Sequence, residues 1–263
     1  MNEPLRELES GVNGALPERP DLLRMGLTAH VMPIHDLRRN DVWGFEVLVR
    51  GLHEGNVQAP AGLLELARAT GILTAFDRRC LAQTTATAAT LSRTTNIFLN
   101  VYAMTLLEEG GLDYVVSKLR PLLGETRHVV LEIHESATTA ELAELQPLFE
   151  RIKAEGIRIA LDDLMPKDLT HRHLRVRPDY IKIDKSVFEA MTPVEAARTI
   201  STFARCQESL GYTLVVEGIE DMQMLSIVTF AGGYLGQGYF FGRPAPPMPS
   251  NDAVAILGDL LGE

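Results

Sequence analysis

Acidic side chains stand at the carboxyl ends of several apolar, strand-like runs in this 263-residue chain. The runs with terminal acids cover residues 44–48, 129–132, 158–163 and 213–217, and two more runs, 97–100 and 180–184, carry other polar groups. A carboxylate beside a buried strand costs free energy unless it is paired or binds a cation. One such acid could be a satisfied core group, whereas the whole series indicates a ring of ligands for a divalent metal.

The residue types in this series define the chemistry that they could perform. Carboxylate and amide oxygens are hard ligands that suit Mg²⁺ or Mn²⁺ better than zinc. The predicted metal ligands are Glu46, Asn100, Glu132, Asp162, Asp163 and Glu217. The adjacent Asp162 and Asp163 could bridge or chelate two ions, and a pair of ions activates water and stabilises an in-line displacement at phosphorus. Lys182 would lie near the attacking water or the phosphate as a compact fixed charge.

From Met25 onward, strand-like runs alternate with helix-like runs, which predicts an α/β protein. The predicted strands cover residues 27–34, a run that ends at Arg50, 96–101, 128–133, 158–162, 179–183, 213–217 and 233–241. The predicted helices cover residues 60–92, as two helices broken near Gly71, then 112–123, 139–155, 193–210, 221–231 and a closing helix over 251–261. Eight strands that alternate with helices fit a (β/α)8 TIM-like barrel better than an open doubly wound sheet. We therefore predict a leader over residues 1–24 and a single barrel domain over residues 25–263.

The barrel prediction explains why the acids fall where they do. In such barrels, the active face is formed by the carboxyl ends of the strands and by the loops that follow them. The predicted ligands and Lys182 come from different strands, so they would converge on that face.

Composition excludes some classes of function. The formal net charge of −10 argues against a general binder of nucleic acid or of anionic membranes. A small phosphorylated ligand stays compatible with this charge because bound metal ions can reverse the local field. Cys80 and Cys206 have no metal-type spacing, which favours two small buried hydrophobic residues in a reducing compartment over a disulfide. The chain has neither a membrane-length apolar run nor a signal-peptide pattern after Met1, so we predict a cytoplasmic protein.

Several ordered motifs resemble one known family. Residues 46–50, Glu-Val-Leu-Val-Arg, resemble the Glu-Ala-Leu-x-Arg signature of the EAL-domain cyclic di-GMP phosphodiesterases. Further motifs follow in the family's order: Leu-Asn-Val at 99–101, Leu-Glu-Ile-His-Glu-Ser at 131–136, Ala-Leu-Asp-Asp at 160–163, Ile-Lys-Ile-Asp at 181–184, Val-Glu-Gly-Ile-Glu at 216–220 and Gly-Gln-Gly-Tyr-Phe-Phe-Gly-Arg-Pro at 236–244. The resemblance runs from about Val31 to Pro247, which is nearly the whole chain.

The resemblance implies a role for each matching residue. Glu46, Asn100, Glu132 and Asp162 would be metal ligands, Asp163 would bind or bridge a second ion, and Glu217 would complete the metal and water site. The catalytic residues would be Lys182, which would hold or polarise the nucleophilic water, together with Glu217 and Glu46. Arg50 and Gln237 would serve substrate binding, with Arg50 at a phosphate and Gln237 also organising the face, and Glu135 would support the loop after the Asp pair. The expected reaction opens one phosphodiester of cyclic di-GMP to give pGpG, with Mg²⁺ or Mn²⁺, and the resemblance also implies a homodimer.

The chain departs from the family after its Asp pair. The family has Asp-Asp-Phe-Gly-Thr-Gly-Tyr-Ser-Ser-Leu there, whereas residues 164–173 of this chain lack both glycines and contain Pro166. Without those glycines, and with a proline that fixes φ, the loop must follow a different backbone path. Two hypotheses result: an active phosphodiesterase with low or conditional turnover, or a degenerate module that binds cyclic di-GMP or a protein partner without catalysis. The number of converging acids favours the enzyme.

Overall fold

The computed structural model describes residues 22–53, 56–58, 60–124, 126–134, 139–164 and 176–248. The leader over 1–24 therefore lies outside the described residues except for its last three, and the closing helix over 251–261 lies outside them entirely. Leu22, the first described residue, is fully buried in an apolar cluster with Met25, Leu63 and Phe76. Leu22 therefore packs the first described residues onto the barrel domain.

Nine strands form one sheet, and eight of them close into a barrel. They are β1 (Gly26–Asp36), β2 (Asp41–His53), β3 (Asn56–Gln58), β4 (Asn96–Val101), β5 (Val129–His134), β6 (Arg158–Leu164), β7 (Tyr180–Ile183), β8 (Thr213–Val216) and β9 (Leu235–Gln237). The barrel order is β1-β9-β8-β7-β6-β5-β4-β2, closed by pairing of β1 with β2, while the short β3 lies on the outer edge of β2. The TIM-type barrel predicted from the sequence is confirmed.

The first barrel strand differs from the regular (β/α)8 pattern. β1 is antiparallel to both of its neighbours, whereas the other seven barrel strands run parallel. The physical reason is the short connection between β1 and β2, because a parallel pair needs a crossover of a dozen or more residues. Asp36, which accepts hydrogen bonds from the amides of Arg38 and Arg39, shapes this turn instead.

Eight α-helices are described outside the barrel, along with a 3₁₀ turn over Arg120–Leu122. They are α1 (Pro60–Ala69), α2 (Leu73–Ala88), α3 (Ala103–Leu107), α4 (Gly111–Leu119), α5 (Thr139–Ala154), α6 (Ser186–Glu189), α7 (Pro193–Leu210) and α8 (Met222–Phe230). The predicted break near Gly71 is confirmed, since this glycine takes a φ of 70° between α1 and α2. The short helices α3 and α6 and the strand β3 were not predicted. None of the described helices is long and apolar enough to cross a membrane.

The barrel interior is layered. Strands β4 to β9 each contribute one buried residue to a lower layer: Phe98, Val130, Ala160, Tyr180, Val215 and Leu235. Two positions further along each chain segment stand Asn100, Glu132, Asp162, Lys182, Glu217 and Gln237. Because successive strand side chains alternate between faces, residues two apart share a face. The apolar layer is therefore the floor beneath the predicted site, and the strand period alone places the polar residues above it.

Candidate active site

Lys182 lies at the centre of the polar layer. Its side chain is 1% exposed, and its Nζ lies 2.8 Å from a carboxylate oxygen of each of three acids: Glu132, Asp162 and Glu217. Glu46 is slightly further away, with its Oε2 at 3.6 Å from Nζ. The ammonium group of Lys182 is therefore held by ion pairs with three carboxylates at once. These four acids come from β2, β5, β6 and the end of β8, which the sequence predicted would converge.

Two amide side chains orient the acids. Asn100 donates through Nδ2 to Glu46 at 2.9 Å and to Glu132 at 3.0 Å. Gln237 is 2% exposed and donates through Nε2 to the other oxygen of Glu46 at 2.8 Å. Glu46 is thus held at both oxygens, by Asn100 and by Gln237. For Asn100 to ligate a cation through oxygen, its side-chain amide would have to flip, so that Oδ1 takes the place of Nδ2.

A β-bulge presents the adjacent acids Asp162 and Asp163 to the same site. From Leu161 to Leu164, β6 advances by three residues while its partner β7 advances by two, from Ile181 to Ile183. Asp163 takes up the extra residue with a φ of 55°, in the left-handed region. Consecutive strand residues normally point to opposite faces, and a bulge redirects a side chain. As a result, Asp162 and Asp163 can both offer an oxygen to one cluster with Glu217.

The segments after β8 and β9 brace each other. Ile219 donates its N–H to the carbonyl of Gln237, and Phe240 donates its N–H to the carbonyl of Ile219, both at 3.0 Å. This close approach requires glycine, since a Cβ on Gly238 would lie 2.1 Å from the Ile219 oxygen. Gly218 has a φ of 72°, and a Cβ there would lie 2.1 Å from the Cβ of Lys185. These glycines therefore fix the neighbouring Glu217 and Gln237.

The electrostatics of the cluster indicate a shortage of positive charge. Burial, together with neighbouring carboxylates, raises the pKa of Glu132 and Glu217 well above the ordinary value, despite Lys182. Burial also raises the pKa of Asp162 to about 6. Burial acts in the same direction on Glu46, but Lys182 and its amide partners outweigh it and lower the pKa of that carboxyl. Burial alone would lower the pKa of Lys182, but the surrounding carboxylates raise it well above its ordinary value.

The donor set fits a hard divalent cation. Two groups of acids can each bring one oxygen per residue within 4.8 Å of the others: Glu46, Glu132 and Asp162, and Asp162, Asp163 and Glu217. Asp162 belongs to both groups, so it could bridge two ions. All of these ligand atoms are carboxylate oxygens, which suit hard cations. The four carboxylates around Lys182 and the adjacent Asp163 carry more negative charge than one lysine balances, and cations would neutralise the excess.

Of two further residues predicted for the site, the structure describes Arg50 but not Glu135. Arg50 stands four residues after Glu46 on β2, on the same face, and its guanidinium donates to the Val49 carbonyl at 2.9 Å. Burial lowers the pKa of Arg50, while Glu46 and Tyr239 act in the opposite direction. Glu135 and the loop over 165–175 lie outside the described residues.

Sequence reasoning missed the aromatic residues at the rim beside Arg50. Tyr239 is 47% exposed, and the guanidinium carbon of Arg243 lies 4.1 Å from the centre of its ring. Phe240 is also exposed and meets Phe241 edge to face. These aromatic residues belong to the motif at 236–244, but no role was predicted for them from the sequence. The two cysteines are free, as expected, with Cys80 buried and Cys206 partly buried.

Fold and site together define a class: a TIM-type barrel with an antiparallel first strand and carboxylates grouped for metal at the carboxyl ends of its strands. Within that class, the chain belongs to the EAL domain family, whose model matches residues 19–244.

Curated relatives include the cyclic di-GMP phosphodiesterase PdeL of Escherichia coli K12, which is 26% identical over 90% of this chain and 68% of its own length. The cyclic di-GMP phosphodiesterase NbdA of Pseudomonas aeruginosa is 27% identical over 84% of this chain. The match covers only 29% of NbdA, and 40% of an uncharacterized relative from Mycobacterium tuberculosis, Rv1354c. The chain therefore corresponds to one part of several larger relatives.

Solved structures share the fold. The PaMucR phosphodiesterase in complex with c-di-GMP has a TM-score of 0.73 and 24% identity, and the match covers 84% of this chain and 92% of that chain. The YkuI protein of Bacillus subtilis, solved with its substrate c-di-GMP and calcium, has a TM-score of 0.74 and 20% identity, with 94% of this chain and 65% of that chain covered. At these identities the likeness shows the fold alone.

Proposed function

We propose that this protein is a metal-dependent phosphodiesterase that opens cyclic di-GMP to the linear dinucleotide pGpG. One observation carries the proposal: two groups of carboxylates share Asp162 and surround the buried Lys182. The names of the relatives PdeL and NbdA support the substrate. A structural scaffold would gain nothing from burying so many acids in one place, because their mutual repulsion costs stability.

Each residue of the cluster has a proposed role. Glu46, Asn100, Glu132 and Asp162 would hold one ion, while Asp162, Asp163 and Glu217 would hold a second. Bound Mg²⁺ or Mn²⁺ would activate a water molecule and neutralise charge that develops on the phosphate. Lys182, fixed by its carboxylate partners, would hold the attacking water, and Glu217 would help to orient it. Glu46 contributes through the ligand geometry that Asn100 and Gln237 impose on it.

Arg50 would bind a phosphate of the dinucleotide. It stands above Glu46 at the mouth of the barrel, beside Tyr239, and a half-buried guanidinium can meet phosphate oxygens with two parallel hydrogen bonds. Gln237 would serve the substrate indirectly, because its amide nitrogen is engaged by Glu46. The predicted homodimer, the support by Glu135 and the identity of the metal stay predictions.

Turnover of cyclic di-GMP by the purified protein, with Mg²⁺ or Mn²⁺ and chromatography for pGpG, tests the proposal. Wild type should form pGpG, whereas Glu46→Ala and Lys182→Ala should abolish its formation in a folded protein. Glu189→Ala is a matched control, since Glu189 is an exposed acid that pairs only with Lys185 among the described residues. Hydrolysis at the normal rate by Glu46→Ala would mean that the assigned site is wrong.

The departure of residues 164–173 from the family pattern supports a second candidate, a receptor that binds cyclic di-GMP without cleaving it. Calorimetric binding of cyclic di-GMP with no pGpG over hours would favour this receptor over the enzyme. Neither product nor binding would leave recognition of a protein partner as the remaining function of the degenerate module.

A further inference from the structure

Asp77 is a buried acid that takes no part in the carboxylate cluster. It lies on α2, outside the barrel wall, and is 3% exposed. Among the described residues it forms no ion pair, and its two side-chain hydrogen bonds go to one segment, the turn that follows β4. A buried carboxylate without a cation is costly, so its place in the structure calls for an explanation.

The bonds of Asp77 hold the chain directly after a proposed metal ligand. Its Oδ2 accepts the backbone N–H of Tyr102 at 3.0 Å and the hydroxyl of Thr105 at 2.6 Å. The second distance lies in the range of charge-assisted O–H···O⁻ bonds. Tyr102 is two residues beyond Asn100, whose amide touches both Glu46 and Glu132.

Asp77 holds the backbone of this turn from another element, whereas Arg68 on α1 holds only the Tyr102 side chain, by a hydrogen bond and with its guanidinium carbon 5.4 Å from the ring centre. Thr105 also donates its N–H to the Tyr102 carbonyl, which is a local bond. The N-cap residue of α3, Tyr102, makes no side-chain capping bond. By contrast, Glu217 donates its N–H to the carbonyl of Ile183 on the neighbouring strand.

Packing holds the Tyr102 ring against an apolar cluster but leaves open space beside the turn. A cavity of about 260 Å³ borders Tyr102, and its lining includes Asp77, Cys80 and Thr84 of α2 together with Glu46, Asn100 and Asp162. A turn that borders empty space can move into it when its hydrogen bonds are lost. Asn100 and Val101 are paired with Glu132 and Ile133 on β5, so a shift of the turn would reach Asn100 as a small change in the direction of its side chain.

We propose that Asp77 is a positioning residue, which fixes the end of β4 so that Asn100 reaches the ion held by Glu46 and Glu132. The inference rests on the proposed metal site and adds to it a residue outside the barrel. Groups that orient ligands typically change metal affinity by about 10- to 100-fold when they are removed. Asp77 acts through the backbone, so the lower end of that range applies.

The test is Mn²⁺ affinity, measured by calorimetry on variants that circular dichroism shows to be folded. Asp77→Leu should weaken Mn²⁺ binding by about tenfold. Asp77→Asn keeps an acceptor oxygen for Tyr102 and Thr105 and should restore the affinity to within about threefold of wild type.

Gln207→Leu is the matched control for a merely structural role. Gln207 is also a buried helix residue, on α7, and it accepts the backbone N–H of Leu214 at 3.1 Å. That bond lies at the amino end of β8, away from the site, so its loss should lower the melting temperature and leave Mn²⁺ affinity unchanged.

The outcomes separate the inference from the proposed function. Wild type that binds no Mn²⁺ would refute both. Wild type that binds Mn²⁺ while folded Asp77→Leu binds equally well would refute only the role of Asp77, and so would an equal loss of affinity in Gln207→Leu. If Asp77→Leu does not fold, Thr105→Val decides: it removes one of the two bonds and should weaken Mn²⁺ binding about threefold, whereas unchanged affinity would overturn the inference.

Discussion

The two ends of the barrel bury polar groups in opposite ways. At the amino end, the Tyr180 hydroxyl meets the His128 ring at 3.0 Å and Arg158 at 3.2 Å, and Trp43 packs against the Tyr180 and His128 rings. At the carboxyl end, four carboxylates surround Lys182, and Asp163 forms a further group with two of them. The same strands therefore carry a lower layer whose polar groups are hydrogen-bonded and an upper layer in which like charges repel each other.

Arg127 shows how the amino end manages a charge. This residue is 4% exposed, and its guanidinium donates to five backbone carbonyls, those of Ala88, Leu91, Ser92, Thr95 and Leu122. Burial lowers the pKa of Arg127 to about 10, so it stays charged at neutral pH. Carbonyl dipoles satisfy this cation without any acid, whereas the acids above keep an excess of charge that protons or cations must neutralise. The comparison teaches that the lower end stabilises the fold, while the upper end carries the charge that the proposed metal ions would neutralise.

The largest expected effect comes from removing the one cation of the upper layer. Lys182→Met should lower the free energy of unfolding by about 3–5 kcal/mol in metal-free buffer, because it leaves buried acids without their partner. Mn²⁺ should restore part of this loss, as measured by urea unfolding with and without the ion. Lys185→Met, at an exposed pair, should change stability by less than about 0.5 kcal/mol. Equal losses of stability in the two variants would contradict the inference that the site holds too little positive charge.

Removing the buried charge at the amino end should lower stability without changing Mn²⁺ affinity. Arg127→Met should lower the free energy of unfolding by about 3 kcal/mol, because several buried carbonyls lose a charged donor. Its Mn²⁺ affinity should equal that of wild type. A weakened Mn²⁺ site in folded Arg127→Met would show that the two ends are coupled and would break the comparison.

The pH dependence of stability can be isolated at Asp77. Burial raises the pKa of this carboxyl to about 6, so the folded protein binds the proton more tightly than the unfolded chain does. Wild type should therefore lose about 3 kcal/mol relative to Asp77→Asn as the pH rises from about 4 to about 6. Urea unfolding of both proteins across this range measures the difference. A constant difference would mean that Asp77 does not titrate in this window.

The smallest expected effect concerns the residue in the bulge. Asp163→Asn keeps a side chain that tolerates the left-handed backbone but removes a charge that raises the pKa of Asp162 and Glu217. Metal-free stability should rise by about 0.5–1 kcal/mol, while Mn²⁺ affinity and turnover fall. If the variant is more stable and equally active, Asp163 is not part of the functional site.

Much of this molecule follows from the alternation of strand-like and helix-like runs in its sequence. The position of Asn100, Glu132, Asp162 and Lys182 at the carboxyl ends of predicted barrel strands predicted that they would converge, and the structure brings them together. The antiparallel direction of β1 could also have been predicted, because the turn before Asp41 is too short for a crossover helix.

Other features have no local signature. The bulge at Asp162 and Asp163 depends on how β6 pairs with β7, and the two letters by themselves do not reveal it. Asp77, next to Arg78 and Arg79, resembles an ordinary solvent-facing helix acid in the sequence. Its burial arises only when α2 packs against the end of β4. Both features are tertiary, so propensity and spacing cannot supply them.

The central position of Lys182 also bears on how the protein is made. A pocket lined by acids alone would repel itself until an ion arrived, and the chain would then wait for metal before it could close its barrel. With an ammonium group built into the middle of the pocket, the newly synthesised chain brings its own counter-ion. If the proposed function holds, folding would not depend on the supply of metal, and scarcity of the ion would stop activity without unfolding the protein.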